Sequence, residues 1–277
     1  MKDILKESKE FQLLFEKSSN LLAGRYSSKL RGEGTEFVDL NEYTLGDDVR
    51  KIDWKVTAKE NKPFIKHFLE EKDASHYILF DISASMRNKL DFAKVLAVSL
   101  LISSSKFKDG FSICFFNSDE FKIFPLSKNK NDMMRYVYEI SQVDVSSKGA
   151  LESALIRFLS LVNKKSIVSI ISDEIELSDR DISILRSVKF KHKLNYFHLY
   201  SSKEKDLHVG LNSFKDSESG ESKVYDLSRS EVEEYKKEFD LQIKEVASKL
   251  SDIGVRPLEL DCDLDLVGQI SKSGGVI

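Results

Sequence analysis

Tyr77-Ile78-Leu79-Phe80-Asp81-Ile82-Ser83-Ala84-Ser85-Met86 reads as a buried β-strand that runs into a polar loop. Tyr77 to Phe80 are four apolar strand-formers in succession, the pattern of a strand covered on both faces of a parallel sheet. Asp81, Ser83 and Ser85 then place oxygen-bearing side chains at every second position, and a helical pattern follows Met86. In an open α/β sheet, a loop between such a strand and helix lies at the carboxyl edge, where ligands bind. One carboxylate and two hydroxyls suit a hard divalent cation, which takes oxygen ligands and keeps waters in its other positions. Ser and Asp are also ordinary cap and turn residues, so the spacing alone leaves both readings open.

Further strands and helices alternate outward from this segment. Residues 88 to 106 predict a mostly buried helix, Phe111 to Asn117 a strand, and Glu120 to Pro125 a short edge strand ended by proline. Helices are expected over 129 to 142, with Met133, Met134, Val137 and Ile140 inward, and over 150 to 163, with Leu151, Leu155, Phe158 and Val162 inward. Lys165 to Asp173 is a second strong strand that also ends in an acid, and Leu194 to Tyr200 is another. Ser178 with Asp181 forms a variant capping box, and Ser230 with Glu233 the more usual one. The latter opens a long helix carrying Val232, Tyr235, Phe239, Ile243, Val246, Leu250 and Ile253, which Gly254 ends. A hairpin insertion is expected over about 206 to 227, a last strand at Val255 to Leu260 and a closing helix at 264 to 272.

This alternation predicts an α/β fold with a doubly wound, mostly parallel sheet of Rossmann type. Right-handed crossovers bring the loops after Phe80 and Ile171 to the same sheet edge. Asp81, Ser83, Ser85 and Asp173 are therefore the candidate metal-ligating set.

The segment before this domain differs. Residues 3 to 22 have the apolar spacing of a helix, and residues 24 to 72 are dense in both charge signs and punctuated by Gly32, Gly34 and Gly46. The expected division is 1–72 as a helix and charged segment packed on the main domain, and 73–277 as that domain. Arg50, Asp53 and Trp54, the only tryptophan, are the candidate cluster here, either bonded internally or facing a partner. An Asp–Arg pair can be bidentate, and an indole N–H seeks an acceptor.

Composition narrows the functional classes. The chain has 277 residues, 41% of them apolar and 32% charged, enough for a substantial core with a solvated surface. Its 43 basic and 46 acidic residues give a net charge of −3, without the basic excess of a dedicated nucleic-acid binder. Cys114 and Cys262 suggest no disulfide framework. The charged opening Met1-Lys-Asp-Ile-Leu-Lys-Glu is unlike a signal peptide, and no apolar run is long enough to span a bilayer. A cytoplasmic location is expected. The five histidines show no ligand spacing, and neither a nucleophile elbow nor a glycine-rich phosphate loop is present.

Asp81-Ile-Ser83-Ala-Ser85-Met86 resembles the metal-ion-dependent adhesion motif of von Willebrand factor A domains. Gly46-Asp-Asp-Val-Arg50-Lys-Ile-Asp53-Trp54-Lys-Val-Thr-Ala-Lys59 resembles the longer and more specific signature of one bacterial branch of that superfamily, the domain-of-unknown-function family fifty-eight. The resemblance covers about residues 24 to 277. It implies a von Willebrand A-like fold with a small hairpin before the last long helix, and a non-enzymatic protein-interaction module. It also implies an adaptor role beside a MoxR-type AAA+ ATPase as the protein partner. Relatives that carry membrane helices before the same signature differ from this chain. The resemblance further implies a Mg2+ or Mn2+ ion at Asp81, Ser83, Ser85 and Asp173, helped by a threonine from another loop. Here Gly149 or Ala150 stands in that threonine's place, so the site is expected to be degraded, and Lys148 is expected to bring a positive charge close by. The alternative class is a magnesium-dependent phosphate-ester hydrolase using Asp81 and Asp173.

Overall fold

A computed structural model describes residues 31–32, 36–43, 52–60, 62–69, 74–215 and 222–272. The expected helix over 3 to 22, Arg50 and the hairpin turn through 216 to 220 lie outside these residues. The described chain divides into two compact units, one before Ala74 and one from Ala74 onward.

In the larger unit, β4 (Ser75–Asp81) is buried at every position but Tyr77, and the strand includes the aspartate expected to follow it. Next to it lies β5 (Gly110–Phe116), in which every residue is buried. The short β6 (Phe121–Ile123) pairs antiparallel with β5 at one edge. On the other side of β4 lie β7 (Ile167–Ser172), β8 (Lys193–Tyr200) and β11 (Leu258–Asp261), all parallel. The sheet order is β6-β5-β4-β7-β8-β11. Numbered within this sheet alone, that is the doubly wound order 3-2-1-4-5-6, whose switch point falls between β4 and β7.

Helices cover both faces because strands buried on both faces need two layers. Helix α2 (Leu90–Lys106) packs on β4 and β5 and against α3 (Lys130–Gln142). On the opposite face, α4 (Leu151–Leu161), α5 (Asp179–Lys191) and the long α6 (Arg229–Asp252) close over Leu79, Val168, Ile170 and Tyr196. Leu151, Leu155, Phe158 and Val162 all point into this layer as their spacing predicts. On α3 the prediction fails at one position: Met134 is 58% exposed, and Tyr136 takes the inward place, donating from its hydroxyl to the Pro125 carbonyl. An aromatic ring that finds an acceptor for its hydroxyl is well suited to burial.

The caps fix where the helices begin. Ser178 and Asp181 form the expected capping box. At α6 the box is Ser228 with Glu231, not Ser230 with Glu233. The sequence Ser228-Arg-Ser230-Glu231-Val-Glu233 holds two overlapping matches. The first is used because the strand before it ends at Leu227 and the helix starts at once. Gly254, at φ +69°, ends the helix in a conformation that glycine adopts without strain. The strands β9 (Gly210–Lys215) and β10 (Ser222–Leu227) form the inserted hairpin as a separate two-stranded antiparallel sheet. A short α7 (Leu266–Lys272) closes the described chain.

In the smaller unit, β1 (Arg31–Gly32), β3 (Phe64–Leu69) and β2 (Glu36–Glu42) form an antiparallel sheet in that order. The seven-residue α1 (Trp54–Glu60) follows Asp53, whose carboxylate accepts hydrogen bonds from the Lys55 and Val56 amides. Asp53 is thus the cap of this helix. Trp54 occupies its first turn and is 70% exposed; of the two expected places for this residue, bonded internally or facing a partner, its exposure speaks against the first.

Candidate functional site

The switch point brings Asp81, Ser83, Ser85 and Asp173 together from two loops. Asp81 ends β4 and is almost wholly buried. Its Oδ1 accepts the Ser83 amide at 2.9 Å, which tightens the turn leaving the strand, and its Oδ2 accepts the Ser172 hydroxyl at 2.8 Å. The hydroxyls of Ser83 and Ser85 are 3.0 Å apart, and Ser85 donates to Asp173 Oδ1 at 2.9 Å. One continuous hydrogen-bonded line therefore runs from Ser83 through Ser85 to Asp173. Ser83 and Asp173 are buried and Ser85 is exposed, so the line reaches the surface at its middle residue. The first turn beyond Ser83 is the tight helix Ala84–Lys89, which leads directly into α2.

Three further groups belong to this site and were not identified from the sequence. Lys89 is buried, and its ammonium lies 3.0 Å from Asp173 Oδ2 and 2.7 Å from Glu204 Oε1. Burial alone would lower its pKa, but Asp173 and Glu204 outweigh that effect and the net shift is upward. Glu174 follows Asp173 and adds a third carboxylate. Ser172 supplies the hydroxyl that holds Asp81. The only local signal for Glu174 and Ser172 was their adjacency to the strand-end acid. Lys89 had no local signal, being one of 43 basic residues on a helix with other lysines.

The loop before α4 closes the site through its backbone. Ala84 N donates to Ser147 O at 2.8 Å and Ser146 N to Ile82 O at 3.0 Å. Ser147, at φ +61°, turns its hydroxyl to Asp119, away from Asp81 and Asp173. Ser146 interacts with Asn117. Neither serine replaces the missing threonine oxygen. A Cβ placed on Gly149 would lie 3.2 Å from Glu174 Oε2, so the Glu174 carboxylate fills the space beside that slot.

The charge balance shapes the titration here. Burial raises the Asp81 pKa to about 6, with repulsion from Asp173 adding to it and bonds from Ser83 and Ser172 opposing it. Burial likewise raises Glu174 to about 7, with Asp81 and Asp173 adding to the shift. His198, buried in β8 below the site, is pushed down to about 4 by burial and so is neutral at pH 7. A carboxyl whose pKa is higher folded than unfolded binds its proton more tightly in the fold. Its contribution to stability is therefore complete below its ordinary 4.5 and is lost as pH rises through about 7. Glu174→Gln mimics the protonated form. It is expected to raise Tm relative to the parent at pH 8 and to leave it unchanged at pH 4.5, measured by thermal unfolding in chelator. An equal shift at both pH values would show that Glu174 is not held against its charge.

The residues do not fit a resident divalent cation well. Both oxygens of Asp81 and both of Asp173 already accept hydrogen bonds, and one of the donors to Asp173 is a full positive charge. Among the described residues, no three His, Cys, Asp or Glu side chains converge as a metal-holding group. The Mg2+ or Mn2+ expected at Asp81, Ser83, Ser85 and Asp173 thus meets a donor set whose cation position has a rival.

The sheet, with an Asp-x-Ser-x-Ser loop at its switch point, defines a doubly wound α/β protein. Residues 39–245 match the family model described as "Protein of unknown function DUF58", and the chain belongs to that family. It is 22% identical over 267 residues to the uncharacterised protein Rv1480 of Mycobacterium tuberculosis, covering 93% of this chain and 84% of the relative. The uncharacterised protein Mb1516 of Mycobacterium bovis matches to the same extent. Among solved structures, an aerotolerance-related membrane protein from Bacteroides fragilis overlays with a TM-score of 0.46 at 14% identity, covering 72% of this chain and 96% of that one. The VWA domain of SpRpn10 overlays with a TM-score of 0.43 at 10% identity, covering 74% and 98%. These two overlays are likenesses of outline and carry no argument about the site. Among the described residues, no helix is long and apolar enough to cross a membrane.

Proposed function

We propose that this chain is a non-enzymatic protein-interaction module that docks its partner at the carboxyl edge of the sheet. One observation carries the reading: the hydrogen-bonded line Ser83–Ser85–Asp173 at the switch point has its middle residue, Ser85, exposed at the surface. A folded edge that presents a braced polar group without a reactive one suits recognition. The partner implied by the family resemblance is a MoxR-type AAA+ ATPase, with this chain as a cytoplasmic adaptor. The hydrolase alternative has less support, because both oxygens of Asp81 are held by Ser83 and Ser172 and neither is left free for nucleophilic or base chemistry.

The test is co-purification of the tagged chain with a MoxR-type ATPase from the same genome, with and without ATP, beside Ser85→Arg. Ser85 is exposed, so the variant is expected to fold, and its bulk and charge should abolish capture. If the parent captures no such ATPase in either nucleotide state, the partner assignment fails. Equal capture by Ser85→Arg would place the contact elsewhere on the molecule.

A further inference from the structure

We propose that Lys89 is the built-in cation of this edge, so that the site is held together by its own ammonium and not by a divalent metal. The inference deepens the docking reading above and rests on the same edge being the contact surface.

The argument begins with charge. Asp81 and Asp173, both almost wholly buried, and the adjoining Glu174 put three carboxylates at this one edge of the sheet. A cluster of this kind needs a cation, because buried carboxylates without one are costly. In the adhesion motif that this chain resembles, the cation is an ion from solution. Here the chain supplies one. Lys89 stands eight residues after Asp81, on the last turn of the tight helix that the Asp-x-Ser-x-Ser loop opens. That position aims its side chain back under the loop. The Lys89 side chain is only 7% exposed, and its ammonium bridges Asp173 Oδ2 at 3.0 Å and Glu204 Oε1 at 2.7 Å. Glu204 comes from the short helix Ser202–Lys205 after β8, so the bridge ties the switch-point loop to a third part of the fold.

Two further features agree with this assignment. A divalent ion placed among Asp81, Ser83 and Ser85 would share Asp173 with an ammonium already in place, and like charges at that range repel strongly when little water screens them. The threonine slot is also closed. Gly149 offers no oxygen there, and Glu174 Oε2 lies 3.2 Å from where its Cβ would be. The glycine at this slot and the buried lysine point the same way: the site offers no side-chain oxygen at Gly149 and holds an internal positive charge at Lys89.

The test is isothermal calorimetry with Mg2+ and Mn2+ up to millimolar concentration, paired with thermal unfolding in chelator and in metal. The proteins are the parent, Lys89→Gln, and Lys89→Gln/Glu204→Gln. The double variant removes one charge of each sign and is the one expected to fold if the single variant does not. The parent should give no site-specific heat and no change in Tm on adding metal. Either variant should bind Mn2+ about tenfold or more tightly than the parent, as expected on removing a like charge from a poorly hydrated site, and should recover part of its lost Tm. Metal binding by the parent that Asp81→Ala abolishes would overturn the proposal. So would folded variants with no gain in metal affinity. No partner enters these measurements, so their failure is separate from a failure of the docking reading, which capture in the presence of chelator addresses on its own.

Discussion

Lys89→Met is expected to lower the free energy of unfolding by about 3–5 kcal/mol, the range for breaking a buried ion pair by removing one partner. The cause is the charge left behind. Asp173 is 5% exposed and has Lys89 as its cation partner among the described residues, while its other oxygen is held by Ser85. Glu204 is more exposed and can recover water, so the larger share of the loss comes from Asp173. Urea denaturation measures the loss directly. The companion variant Lys89→Met/Asp173→Asn removes both charges and should recover part of it, because a buried pair replaced by neutral groups is often nearly neutral in stability. The difference between the double variant and the sum of the singles gives the coupling of the pair. A cost below about 1 kcal/mol for Lys89→Met, the level of an exposed ion pair, would show that the ammonium is effectively solvated.

Phe158→Ala is expected to cost about 3–5 kcal/mol by the same measurement, through a cavity and not a charge. Phe158 lies on α4 and is fully buried in the core layer between the sheet and α4, α5 and α6. Its ring meets Tyr77 of β4 edge-on at 5.4 Å and lies 5.5 Å from the His192 ring at the end of α5. Removing it therefore separates the central strand from two helices at once. The neighbours are held in regular structure and cannot close the space, so the cost should fall in the upper part of the range. Leu159, only partly buried on the same helix, is the control. Leu159→Ala should cost clearly less, and equal losses would mean that α4 repacks.

Much of the architecture was legible in the chain. The apolar runs at Tyr77–Phe80 and Ile167–Ile171 read as strands buried on both faces, and their alternation with helices implied a mostly parallel, doubly wound sheet. The convergence of Asp81 and Asp173 was legible for the same reason, since right-handed crossovers put both strand ends on one edge. Where two local patterns competed, reading failed. The overlapping capping boxes at Ser228 and Ser230 were decided by where β10 stopped. Met134 and Tyr136 both sat within the tolerance of a helical period, and the Pro125 carbonyl decided between them.

The sequence by itself determined the sheet, its polarity and the loop that carries Asp81, Ser83 and Ser85, because burial of strands and the turns that end them are fixed by neighbours a few residues away. Only the tertiary structure decided the chemistry of that loop. Lys89 and Asp173 are 84 residues apart in the chain, Ser172 and Asp81 are 91 apart, and Glu174 reaches the Gly149 slot from the loop after β7. A charge's energy depends on the few ångströms around it once water is removed. Those few ångströms are assembled by distant segments, so the cation of this site could be found only in the fold.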